Sequence, residues 1–130
     1  MENLEIRATE RSPEVRFDAG ARVLSLRGES YPEDASTVFG PIFSWLEGFL
    51  ARPAAPPVRV EFELIYFNSS SAKALMNIFL LLEKAATAGT PVTVEWRYTA
   101  DDETMKEFGE DFAEDLEHVA FTLVELPAGA

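Results

Sequence analysis

The chain has 130 residues, 23 acidic against 11 basic side chains and a formal net charge of -12. That length suits one domain with a sizeable core, expected over 1-130. The acidity argues against nucleic acid or an anionic membrane surface as partner, since both select a cationic footprint. Ten Phe, two Trp and three Tyr exclude wholesale disorder, and the apolar runs are too short for membrane insertion. The absence of Cys removes disulfide and thiolate chemistry. No basic and apolar leader opens the chain, so a cytoplasmic location is expected.

Val15 to Phe17 and Arg22 to Arg27 alternate around Asp18-Ala19-Gly20-Ala21, a hairpin signal. Gly28 to Asp34 is loop chemistry. Val38, Phe39, Ile42, Leu46, Phe49 and Leu50 then recur at helical spacing, predicting a helix from about Glu33 to Ala51 with a kink or a delayed start at Pro41. The linker Arg52 to Pro57 ends it. From Val58 to Tyr66 every second residue is apolar, with Arg59, Glu61 and Glu63 on the other face; Val92 to Tyr98 repeats the pattern. Between these strands Ser71 to Ala88 reads as a helix closed by Gly89. The unit is then a right-handed crossover joining parallel strands. A third helix spans Asp101 to about His118, with Met105, Phe108, Phe112 and Leu116 on one side, and Phe121 to Leu126 is a last strand. The fold class expected is α/β, a mixed sheet of about five strands with three helices on the face bearing Phe62, Leu64 and Trp96. The second helix is apolar nearly all round from Ala74 to Leu82, which calls for burial between the other two helices or under a partner.

The chemistry-bearing candidates are few. Ser69, Ser70 and Ser71 sit where a strand gives way to a helix, a junction whose free amides and helix dipole favour negative charge. Ser70 or Ser71 also suits a simple N-cap role. His118 is the only imidazole, near a helix carboxyl end, where it complements the dipole better than it serves as a general base. Nine acids and one lysine lie between Asp101 and Glu117. Asp101, Asp102 and Glu103 read as a solvated cap and not as a cation site, so no metal and no cofactor are expected.

Beyond these local signals, Gly28-Glu29-Ser30-Tyr31-Pro32-Glu33-Asp34, Tyr66-Phe67-Asn68-Ser69-Ser70-Ser71-Ala72-Lys73 and the acidic block Asp101 to Asp115 resemble the SiaC-type bacterial regulatory phosphoproteins of biofilm and aggregation control. A more distant likeness is to the STAS-type anti-sigma factor antagonists, which place a phosphorylatable Ser or Thr between a strand and a helix. The resemblance implies a STAS-like domain that is not an enzyme. A cognate kinase and phosphatase would act on Ser69, the hydroxyl following Asn68, with Ser70 and Ser71 as competitors and Lys73 as a neighbour. The unmodified form would bind and activate a diguanylate cyclase, linking the protein to c-di-GMP. Tyr31, Pro32, Glu33 and Asp34, with Asp101, Asp102 and Glu103, are the expected partner surface. The competing expectations are an acidic-site metal-dependent hydrolase and a structural oligomerisation module.

Overall fold

The computed structural model describes residues 1–128. Its elements in chain order are β1 (Leu4–Ile6), β2 (Glu14–Asp18), β3 (Val23–Ser30), α1 (Ala35–Phe49), β4 (Val58–Phe67), α2 (Ser69–Thr87), β5 (Val92–Thr99), α3 (Glu103–Glu114) and β6 (Ala120–Leu126). The strands form one mixed sheet in sequential order, β1-β2-β3-β4-β5-β6. β1, β2 and β3 pair antiparallel, and β3 to β6 run parallel through the helical crossovers. The mixed sheet and three helices read from the sequence are present. The sixth strand is β1, three residues long and too short for alternation to reveal.

Strand register stacks the apolar residues in rows. Val15, Leu26, Phe62, Trp96 and Leu123 lie side by side across β2 to β6, and Phe17, Leu24, Val60, Val94 and Phe121 form the next row. The helices cover this face. Trp45 of α1 lies tilted 5.2 Å from Phe17, Phe79 of α2 lies 5.1 Å from Phe62, and Phe112 of α3 lies 5.5 Å from Trp96. Burying such rings supplies most of the drive to fold. Phe79 and Phe112 also meet at 5.0 Å, and Leu75, Ile78, Phe79 and Leu82 of α2 are buried, but Leu80 stays exposed, so the helix buries only part of its excess apolar surface. The opposite face stays open and charged. At its centre Glu61, only 7% exposed, meets Arg59 at 3.0 Å, Arg97 at 3.4 Å and Arg27 at 3.9 Å. The hydrogen bond to Glu95 raises the Arg97 pKa against the opposing effect of burial, with the charge of Glu61 adding to it.

Four local expectations are corrected. Tyr66 does not share the buried face of β4: Gly28 pairs with Leu64 but Glu29 with Tyr66, so Ile65 is the extra residue of a β-bulge that turns Tyr66 out and Phe67 in. Gly28, at φ +115°, allows the partner strand to follow that shift. α1 starts at Ala35 behind the Asp34 cap and continues through Pro41, so its start is not delayed. α2 starts at Ser69, not Ser71. Its N-cap is Asn68, not Ser70 or Ser71, because the Asn68 side chain accepts from the Ser71 amide at 2.9 Å.

The fourth correction is that α3 ends at Glu114 and not near His118. The segment beyond is drawn off the helix path by Glu83 of α2, whose carboxylate accepts from the amides of Glu117, His118 and Val119 and from His118 Nδ1 at 2.7 Å. Burial works against the charged form of Glu83, but the hydrogen bonds from His118 and Val119 and the His118 charge outweigh it and lower the pKa. His118 thus belongs to a structural clasp.

Candidate functional site

Because β3, β4 and β5 run parallel, the loops leaving their carboxyl ends open on one edge of the sheet. That edge brings together all three segments singled out in the sequence: Tyr31 to Asp34 after β3, Asn68 to Ser71 after β4, and Asp101 to Glu103 after β5. Open α/β sheets place binding sites outside the carboxyl ends of such strands. Each loop also starts a helix, so three helix amino termini face the same edge.

The three termini differ electrostatically. α1 is capped by Asp34, whose carboxylate is held below its ordinary pKa by the hydroxyls of Ser36 and then Thr37. α3 is capped by Asp102, which accepts from the Met105 amide at 3.0 Å, with Glu103 in its first turn. α2 has a neutral cap in Asn68 and no acid in its first turn. The central terminus therefore keeps the positive end of its dipole uncompensated by side-chain charge, and it is the one bearing the serines.

Burial separates those serines. Ser69 and Ser70 are exposed, at the first and second helical positions, where the amides have no helical carbonyl to bond. Ser71 is fully buried, and its hydroxyl lies 2.7 Å from that of Ser30, also buried, at the end of β3. Ser71 therefore pins α2 to the sheet and presents no hydroxyl to solvent. The backbone makes the same join, since the Asn68 amide donates to the Ser30 carbonyl at 3.0 Å. Lys73 is exposed and lies one turn beyond Ser69, on the same helix face. Ser30 was not legible as a site residue. The spacing Asn68-x-x-Ser71 was the local signal that Asn68, and not a serine, is the cap.

Around this edge lies apolar surface. Of the five large exposed hydrophobic residues among the described residues, Ile65, Tyr66 and Phe108 flank the β4 terminus. Tyr66 meets Tyr31 edge-on at 5.8 Å, and Phe108 packs on Phe67 at 4.7 Å. The expected partner surface of Tyr31, Pro32, Glu33 and Asp34 thus abuts Tyr66, and Glu33 is itself paired with Arg11 at 3.0 Å. Among the described residues no three His, Cys, Asp or Glu side chains converge in a geometry able to hold a metal ion. No helix of the described residues is long and apolar enough to cross a membrane.

Comparison with known proteins adds independent findings. The family model described as SiaC family regulatory phosphoprotein matches residues 6–126. An uncharacterized protein of Pseudomonas aeruginosa strain UCBPP-PA14 is 40% identical over 115 residues, covering 88% of this chain and 90% of its own length. Apo-SiaC from Pseudomonas aeruginosa superposes with a TM-score of 0.87 at 38% identity, over 95% of this chain and 99% of that one. The SiaC chain bound to the diguanylate cyclase SiaD, of which it is the activator, superposes with a TM-score of 0.89 at 37% identity, again over 95% and 99%.

Proposed function

Since the chain belongs to the SiaC family of regulatory phosphoproteins, we propose that it is a non-enzymatic, cytoplasmic switch whose unmodified form binds and activates a diguanylate cyclase. A cognate kinase phosphorylates Ser69 and a phosphatase restores it. The observation that carries this reading is the exposed Ser69 at the one helix terminus of the edge lacking side-chain negative charge, three residues beyond exposed Tyr66. A phosphate there adds about 1.5 to 2 negative charges. The helix terminus favours an anion by about 0.3 to 1 kcal/mol, so the fold tolerates the modification.

A partner pressed on the same edge does not. It must desolvate the phosphate and accommodate its bulk beside Asp34, Asp101 and Glu103. Switching then needs no rearrangement of the protein. Phosphosite mass spectrometry on protein from its native host, paired with recovery of the cyclase on Ser69→Ala and Ser69→Asp, tests the reading. Ser69→Ala is expected to bind constitutively, and Ser69→Asp to weaken binding by about 1 to 3 kcal/mol. Equal recovery on both, with native melts, removes Ser69 from the switch. Phosphate found only on Ser70 moves the site by one residue and keeps the mechanism.

A further inference from the structure

We infer that the bulge at Ile65 is a docking device, which presents Ile65 and Tyr66, with Tyr31 behind them, as the apolar anchor for the diguanylate cyclase. Uninterrupted alternation would have put Tyr66 in the core and left Ile65 alone on the wet face. The register shift instead leaves them 67% and 53% exposed, side by side in sequence on a strand whose open face otherwise carries charged groups. Bulges re-aim side chains in this way next to functional sites, and exposed contiguous apolar surface marks contact areas. Tyr66 is held by Tyr31 at 5.8 Å, so little rotamer freedom is lost when a partner covers it.

The surroundings define the occupant. Glu33, Asp34, Asp101 and Glu103 are exposed around the same edge of a chain of net charge -12. Arg11, beside them, is engaged by Glu33, and Arg97, on the open face, by Glu61 and Glu95, so that Lys73 on α2 is an exposed cation outnumbered by these acids. The matching segment of the cyclase is an apolar side chain or two ringed by Lys and Arg. The inference rests on the switch reading, and it explains why a phosphate at Ser69 acts on the partner directly: the acceptor follows the anchor by three residues.

The test is the affinity of the purified cyclase from the same organism for the wild type, Ile65→Ser, Tyr66→Ser and Leu80→Ser, at low and high salt. Leu80 is 52% exposed on α2 and serves as the control for loss of any surface hydrophobe. We expect Ile65→Ser and Tyr66→Ser each to weaken binding about thirty-fold or more, as anchor residues do. Leu80→Ser should stay within about three-fold, all variants should melt like the wild type, and wild-type affinity should fall with salt. Binding unchanged in Ile65→Ser and Tyr66→Ser, or lost only in Leu80→Ser, overturns the placement while leaving the switch reading intact. A wild-type dimer dissociated by Ile65→Ser overturns it in favour of a second copy of this chain. A wild type that binds no cyclase at all overturns both.

Discussion

Replacing Gly109 with Ala distinguishes the tertiary structure from the helix viewed alone. In an isolated helix the change is favourable by about 1 kcal/mol. In this molecule a Cβ at 109 would collide with Trp96 Cδ1 and sit 2.7 Å from both Trp96 Nε1 and Leu123 Cδ2. Restoring ordinary contact requires a separation of about 1 Å between α3 and the sheet, because overlapping atoms must move apart to van der Waals distance. Trp96 cannot yield: it lies among Phe62, Phe67, Phe79, Phe112 and Phe121. Overpacking of that kind costs about 1 to 3 kcal/mol. Lifting α3 also stretches the buried bond from Trp96 Nε1 to the Met105 carbonyl, now 2.9 Å, at a further cost of about 1 to 3 kcal/mol.

Set against the propensity gain, the net is a destabilisation of roughly 1 to 5 kcal/mol, centred near 3. For a chain of 130 residues, an unfolding entropy of about 2.1 cal/mol/K per residue converts that centre to a fall of about 10 °C in Tm. Circular dichroism at 222 nm, with a urea titration at 25 °C, measures it. A Tm equal to or above that of the wild type would refute the close approach of α3 to Trp96.

Three other outcomes follow from particular contacts. Ser30→Ala and Ser71→Ala should each cost about 1 to 3 kcal/mol by orphaning a buried hydroxyl, while the double variant costs clearly less than their sum; strict additivity in urea melts would deny the 2.7 Å pair. Glu83→Gln should lose about 1 to 3 kcal/mol at pH 7 through its weaker hold on His118 and the following amides. Because the folded-state pKa of Glu83 is lowered from 4.5, its contribution is present above the ordinary value and disappears as pH falls through the folded one. The gap between wild type and variant should therefore narrow in the acid range, and a gap independent of pH would count against the clasp. Calorimetry with magnesium or calcium should give no micromolar binding for Asp101→Asn to abolish, as Asp102 is committed to capping α3.

Alternation by itself determined which faces of β4 and β5 are wet, and the strand-helix-strand order determined that they run parallel, because a crossover of that length reverses the chain twice. It placed Asn68 to Ser71 at a strand exit, whereas Tyr31 to Asp34 and Asp101 to Glu103 stood out as a partner surface only through the family resemblance, and the edge that the three segments share came with the parallel pairing of β3, β4 and β5. Periodicity reports a face but not a register, so the slip at Ile65 that exposes Tyr66 and buries Phe67 arose only when β4 met the shifted Gly28 and Glu29 of β3. The three serines are chemically alike along the chain. Ser71 became a core hydroxyl because the helix turn set by Asn68 points it at Ser30. Helix propensity likewise reads Gly109 as a cost, whereas the approach of α3 to Trp96 makes the missing Cβ a requirement. The end of α3 was set by Glu83, a residue far away in sequence whose carboxylate takes three amides from the segment ahead of β6. In each case the deciding atoms belong to elements distant in sequence, so no local pattern could carry them.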